Sequence, residues 1–323
     1  MLKIGVIGAG HLGKIHIKCI LQIANFKLVG FYDIDPIVKE SVSKEFNIHS
    51  YSTIEEMFEN VDVVDIITPT IAHFQYAAMA IRKLKHVFIE KPIVTTPEEA
   101  RQLVELSHEA NVKVQVGHVE RLNPAFVAVK NAINNPMFIE AHRLAIYNPR
   151  GTDVPVVLDL MIHDIDVILS IVKSPIKKIH ASGVAIVSQT PDIANARIEF
   201  ENGAVANLTA SRISLTNMRK IRIFQQDAYI SVDFLEKKSD IVKICDTDQE
   251  AQPEGSKDII IKTAENRLKK ITFDQPEIIQ TNAIKEELEL FYTSIINDST
   301  PLVSINDGSN ALDVAYQIIK KIS

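Results

Sequence analysis

The first thirteen residues constrain this chain more than any other part of it. Leu2 to Ile7 is a short apolar run of the kind buried on both faces of a sheet, and Gly8-Ala9-Gly10-His11-Leu12-Gly13 follows with the spacing G-x-G-x-x-G. Leu12, Ile15, Cys19, Ile20 and Ile23 then recur at helical spacing. A strand that turns on glycines into a helix gathers the helix's unpaired N–H groups and the positive end of its dipole at one point, where a pyrophosphate can be held. Asp33 ends the next apolar run, Lys27 to Asp33, twenty residues after Gly13, where a carboxylate can accept hydrogen bonds from adenosine ribose hydroxyls. The pattern predicts a dinucleotide site made by Gly8, Gly10, His11, Leu12, Gly13 and Asp33. A carboxylate there repels a 2′-phosphate, and no Arg lies between Gly13 and Arg82, so NAD is favoured over NADP.

The alternation of strand and helix continues. Asp35-Pro36 starts a helix to about Phe46, and Thr53-Ile-Glu-Glu56 has the form of a capping box. A strand from Val61 to Ile67, a helix from about Thr70 to Leu84, a strand from His86 to Ile89, a helix begun by Thr96-Pro97-Glu98-Glu99 and a strand from Val112 to Val116 complete five or six βα units. This order predicts a parallel, doubly wound sheet over residues 1–119 that holds its ligand beyond the strands' C-terminal ends. Thr68, Pro69, His73 and Glu90 are therefore expected beside the cofactor. Lys91, in Glu90-Lys91-Pro92, is expected to touch cofactor and substrate alike, as a donor to, or proton exchanger with, a hydroxyl or carbonyl near the nicotinamide. X-Pro is also the one bond type that adopts cis at modest cost. A solvated lysine at a strand end is the plain alternative.

After Gly117 the pattern changes. A helix capped by Asn123-Pro124, a strand from Met137 to Tyr147 and one long helix over Val154 to Val172 precede strands with no helices between them: Lys178–Val187, Ile193–Glu201, Ala204–Arg212, Lys220–Gln225, Tyr229–Phe234 and weaker ones near Ile241 and Ile259. Glu201-Asn202-Gly203 is a hairpin signal. Residues 120–323 thus read as an α/β domain with a large, open, mostly antiparallel sheet, two helices backing one face, and helices over about Asn282–Asn297 and Asn306–Ile322 at the end. Asp246 to Lys257 reads as an exposed loop.

Within Val154–Val172 the titratable side chains are Asp159, His163, Asp164 and Asp166, and Asp159, His163 and Asp166 at i, i+4 and i+7 should share one helical face. A carboxylate one turn from a histidine can orient its ring for proton transfer, although a purely structural His–Asp pair meets the same spacing. Arg121, Asn148 and Arg150 are candidates for the anionic or polar parts of a substrate, since Arg grips phosphate with a two-pronged fork. Each would serve equally as a structural partner.

Composition narrows the remaining classes. Thirty-five Lys and Arg against 41 Asp and Glu give a formal charge of −6 and no basic field for nucleic acid or an anionic membrane surface. Two cysteines are too few for a disulfide framework, and neither H-E-x-x-H nor paired C-x-x-C spacing occurs, so no metal site is expected. No run supplies the ~20 apolar residues of a membrane span, and Lys3 followed at once by Ile4-Gly5 is unlike a signal peptide, so a cytoplasmic location is expected. A wide sheet with helices on one face predicts a homodimer or homotetramer joined through that sheet.

Gly8-x-Gly10-x-x-Gly13, Glu90-Lys91-Pro92, Gly117-x-x-x-Arg121-x-x-Pro124 and Asp159-x-x-x-His163 together resemble the Gfo/Idh/MocA oxidoreductases, the family of glucose-fructose oxidoreductase and inositol dehydrogenase. The resemblance spans the chain and implies a Rossmann domain, a second domain with an open antiparallel sheet, a closing helix over about 306–322 that packs back toward the first domain, and hydride transfer between nicotinamide and a ring secondary alcohol. It carries catalytic roles onto Lys91 and His163 and gives Asp159 a sugar hydroxyl to bind or the histidine to orient. Val154-Pro155-Val156-Val157-Leu158 stands where many relatives have a glycine-rich run. The segments around Arg121, Arg150 and His163 look most like the nucleotide-sugar branch, which implies C3 of a UDP-N-acetylhexosamine as the reacting carbon. Inositol, a free sugar or a biliverdin-like substrate are the enzymatic alternatives, and a non-catalytic dinucleotide sensor is the alternative of another class.

Overall fold

The computed structural model describes residues 1–148, 154–248 and 258–322. The chain divides into two compact units, Met1–Val119 with Asn282–Tyr316, and Glu120–Thr281 with Gln317–Ser323.

In the first unit β1 (Leu2–Ile7), β2 (Phe26–Tyr32), β3 (Val63–Ile66), β4 (His86–Glu90) and β5 (Val114–Gly117) form one parallel sheet in the order β2-β1-β3-β4-β5. The helices between them are α1 (His11–Ile20), α2 (Pro36–Phe46), α3 (Ile54–Asn60), α4 (His73–Arg82) and α5 (Pro97–Ala110). Local chemistry sets their ends. Asp35 and Thr53 cap α2 and α3, Thr96 and Glu99 complete a capping box on α5, and Asn47 and Asn111 close α2 and α5 in the left-handed region. β3 and β5 are buried at every residue, as strands covered on both faces must be. That makes the carboxylate of Asp65, inside β3, conspicuous.

In the second unit α6 (Pro124–Val129), β6 (Phe138–Ile146) and α7 (Ile162–Ile171) precede β7 (Ile176–Val184), β8 (Ile193–Phe200), β9 (Val205–Ser214), β10 (Met218–Phe224), β11 (Ala228–Asp233), β12 (Lys238–Asp246), β13 (Ile259–Lys262) and β14 (Leu268–Asp274). The nine strands are ordered β13-β14-β12-β11-β10-β6-β9-β8-β7, and β6 runs parallel to β9 while the other pairings are antiparallel. α6 packs on β11 and β12, and α7 on β6 and β9. Gly203, at φ +86°, makes the expected turn between β8 and β9.

Three features depart from the sequence reading. The single helix expected over Val154–Val172 is a π-helical turn, Val157–Met161, running into α7. β14, with its run of lysines, carries too weak a periodicity to be read from sequence. α8 (Ala283–Ile296) groups with the first unit, because Leu288 and Phe291 complete the core built by Ile4, Ile17, Phe31 and Phe88, and most of α9 (Ile305–Ile322) groups there too, as the resemblance implies for the closing helix. Most of the Asp246–Lys257 loop lies outside the described residues.

Candidate active site

The glycine turn divides its work among three residues. Gly8 sits at φ +89°, and a Cβ there would stand 2.7 Å from the Ile67 carbonyl oxygen. A Cβ on Gly13 would stand 2.1 Å from the carbonyl oxygen of Gly8, so Gly13 lets the first turn of α1 close onto the loop. A Cβ on Gly10 would meet nothing within 4 Å. Packing inside the protein therefore does not require glycine at position 10, whereas a ligand approaching the backbone would. α1 starts just after Gly10 with no side-chain cap and no acidic residue in its first turn, so an anion can occupy that end. His11 is exposed and Leu12 is at the edge of exposure.

Asp33 is anchored to the same turn. Its Oδ2 accepts the Ala9 N–H at 2.7 Å and its Oδ1 accepts the Asp35 N–H at 2.9 Å, leaving further lone pairs for ribose hydroxyls. A cleft of about 420 Å³ is lined by Gly8, Gly10, Asp33, Thr68 and Pro69, with Ile34 and Ile71 largely exposed at its side. Size, an open backbone cradle and a fixed carboxylate fit the adenosine and pyrophosphate of a dinucleotide. His73 is buried and lies 2.9 Å from both the Pro92 and the Thr68 carbonyl oxygens. It ties together the loops after β3 and β4, and burial pulls its pKa down despite the carbonyls on either side.

Glu90 ends β4, Lys91 follows it, and the Lys91–Pro92 bond is cis. One oxygen of Glu90 accepts the Lys91 N–H at 3.2 Å, and the other lies 3.2 Å from Nε2 of His16, on α1. Nδ1 of the same ring lies 3.0 Å from Asp65 Oδ2. His16 and Asp65 are wholly buried. A Cβ on Gly117 would stand 2.7 Å from Glu90 Oε1, so the glycine at the end of β5 makes room for the carboxylate.

In the second unit the expected face of three splits. Asp159 and His163 are half-buried, but Asp166 is buried in a fork from Arg121, with Nε at 2.7 Å and the terminal nitrogen at 2.6 Å. Arg121, expected among the substrate contacts, takes the structural role that its spacing also allowed. Asp164 turns to Arg143 of β6, which also holds Glu120 at 2.9 Å. Burial works against the charge on Arg143, but Asp164 and then Glu120 outweigh it and raise its pKa. Two arginines thus pin the helix that carries His163. Asn148 is exposed, and Arg150 lies outside the described residues.

His16, Asp65, Glu120 and Arg143 were not singled out from sequence. The signal for two of them was present: a histidine among the apolar residues of α1 and an aspartate in Val63-Val-Asp-Ile66 each demand a buried partner. Among the described residues no group of three or more His, Cys, Asp or Glu side chains could hold a metal ion, and no helix is long and apolar enough to cross a membrane.

Residues 2–118 match an oxidoreductase family with an NAD-binding Rossmann fold, Gfo/Idh/MocA, and residues 140–231 match the Gfo/Idh/MocA C-terminal domain. The chain is 38% identical over 235 residues to UDP-N-acetylglucosamine 3-dehydrogenase of Acidithiobacillus ferrooxidans, covering 72% of this chain and 74% of that protein. A solved structure of UDP-N-acetylglucosamine 3-dehydrogenase from that organism superposes with a TM-score of 0.88 at 31% identity, covering 99% of this chain and 97% of the other. Myo-inositol 2-dehydrogenase of Thermotoga maritima is 24% identical over 340 residues, covering 99% of this chain and 96% of that protein.

Proposed function

Because the chain belongs to the Gfo/Idh/MocA oxidoreductases, a family with an NAD-binding Rossmann fold, we propose that it oxidises the C3 hydroxyl of a UDP-N-acetylhexosamine. The observation that carries this reading is the 38% identity to a UDP-N-acetylglucosamine 3-dehydrogenase, with matched coverage of both chains. NAD, when bound, supplies the hydride acceptor at nicotinamide C4. Gly8, Gly10 and Gly13 leave backbone N–H groups open to the pyrophosphate, with His11 and Leu12 at the helix start, and Asp33 takes the ribose hydroxyls. Thr68, Pro69 and Glu90 line or support the same side, and His73 holds their loops.

His163 takes the hydroxyl proton and Lys91 polarises the oxygen, with Asp159 orienting the imidazole or holding a neighbouring hydroxyl. Asn148 and Arg150 bind the nucleotide-sugar portion. Arg121 is not among the substrate contacts in this reading, since its fork is engaged by Asp166. We place the enzyme in the cytoplasm as a homo-oligomer. The exposed Ile244, Ile259, Ile261 and Phe273 on β12 to β14 support assembly, and a light-scattering mass equal to one chain would refute it.

A panel of UDP-sugars, free sugars and inositols with NAD, followed by absorbance of the reduced nicotinamide, tests the reaction. Inositol turning over with UDP-sugars inert would favour the second reading, which rests on the inositol dehydrogenases among the relatives. His163→Ala and Lys91→Met should each lower turnover by ~10²–10⁴-fold with NAD affinity within about threefold, and the double variant should lose less than the product of the two. The acidic limb of the oxidation profile should vanish in His163→Ala. Turnover within about threefold of the original and an unmoved limb would remove His163 from the base role.

A further inference from the structure

We propose that Asp65, His16 and Glu90 form a buried positioning relay, in which His16 is an imidazolium that fixes an ionised Glu90 beside Lys91 and so keeps Lys91 a hydrogen-bond donor rather than a base. The inference deepens the proposed function and rests on Lys91 acting at the reacting hydroxyl.

The two ring nitrogens are flanked by carboxylates, in a hydrogen-bond contact at Nδ1 and at ion-pair distance at Nε2. Nδ1 faces Asp65 Oδ2 at 3.0 Å and Nε2 faces Glu90 Oε1 at 3.2 Å, and both carboxylates offer only acceptors when ionised. A neutral imidazole carries one N–H and can serve one of them. Burial alone would push the His16 pKa down, but the Asp65 charge and hydrogen bond, with those of Glu90, hold it well above its ordinary value. Burial would likewise raise Glu90, and the His16 hydrogen bond and charge, followed by Lys91, hold it below. Asp65 stands above its ordinary value, because burial outweighs the charge and hydrogen bond of His16.

Packing alone does not call for such a set. Three ionisable groups in and beside a parallel sheet cost more in lost hydration than apolar residues of the same volume. Their arrangement also has a direction, from β3 through α1 to the end of β4, where the second Glu90 oxygen takes the Lys91 N–H. Phe88 packs against the His16 ring in an edge-on arrangement, with ring centroids 5.8 Å apart. The other titratable neighbours are the Cys19 thiol near His16, and His73 and Lys91 near Glu90. An ionised Glu90 favours the ammonium form of Lys91, which leaves proton acceptance to another group.

The test starts with the unmodified protein. Nitrogen-resolved NMR should find both ring nitrogens of His16 protonated at pH 8, and a ring with a single N–H at that pH would overturn the relay. Carboxyl-resolved NMR of glutamate-labelled protein should then show Glu90 taking up its proton at a higher pH in His16→Gln than in the original. In Glu90→Gln the Lys91 ammonium should titrate lower than in the original. A purely structural His16 would lower the melting temperature and leave the Glu90 titration where it was, which would also overturn the proposal. None of these readouts needs a substrate. If no sugar is oxidised, the proposed function fails while the relay is still decided.

Discussion

Arg121 closes a two-pronged bridge onto Asp166, with contacts of 2.7 and 2.6 Å and both side chains buried. The edge of the guanidinium formed by Nε and one terminal nitrogen is taken up by Asp166 and is not offered to a diphosphate. Arg121→Ala leaves a buried carboxylate unmatched and should cost about 3–5 kcal/mol, measured as the change in denaturant unfolding free energy. Arg121→Met with Asp166→Leu should recover most of that loss. If the paired variant folds but its KM for the nucleotide sugar rises more than tenfold, Arg121 belongs to the substrate site after all.

The two later glycines of the turn should fail differently. Gly13→Ala drives a Cβ into the Gly8 carbonyl, so both stability and NAD binding should fall. Gly10→Ala meets open space in the protein and should melt within ~2 °C of the original while losing NAD affinity more than tenfold, measured by calorimetric titration. NAD affinity unchanged in Gly10→Ala would place the pyrophosphate elsewhere.

Asp33 couples turn geometry to cofactor choice, since its two oxygens already hold Ala9 and Asp35. Asp33→Ala should weaken NAD binding and narrow its lead over NADP. Tighter binding of NADP than NAD by the unmodified protein would overturn the assignment.

The buried histidine should also shape stability against pH. Folded His16 holds its proton well above the 6.5 of a free imidazole. Its contribution is therefore complete below about pH 6.5 and is lost as pH rises through the raised value. Glu90, held below its ordinary value, contributes above about pH 4.5 and loses its share as pH falls through the lowered one. Melting temperatures from pH 7 to 9 should fall more steeply for the original than for His16→Gln. Parallel curves would mean that the ring is neutral in the folded protein.

Local patterns made the first unit legible. Glycine spacing, capping residues and apolar runs placed β1 to β5 and their helices to within a few residues, because short parallel strands and capped helices are written in neighbouring positions. The nine-stranded sheet was visible as strands but not as an order, since the pairing of β6 with β9 depends on contacts remote in sequence. Residue type alone could not decide between substrate and structure for Arg121, nor for Asp166, whose burial depends on a partner 45 residues away in sequence, and nothing in Val157–Met161 announces a π-helical turn. The ion pairs beneath His163 were hidden for the same reason: Glu120 and Arg143 acquire partners only when β6 and α7 meet.

The parallel pairing of β6 with β9 also imposes an order of events during synthesis. Phe138 lies opposite Val205, 67 residues further on by their numbering, and β10, the other neighbour of β6, is made later still. At ~5–20 residues per second a nascent β6 spends several seconds with both edges unpaired, time in which it could join a strand of another chain. Arg143 sits midway along that strand on the face that ends up buried, and its partner Glu120 has already been made. A cation in that position resists burial against a foreign sheet until Asp164 arrives to complete its pairing.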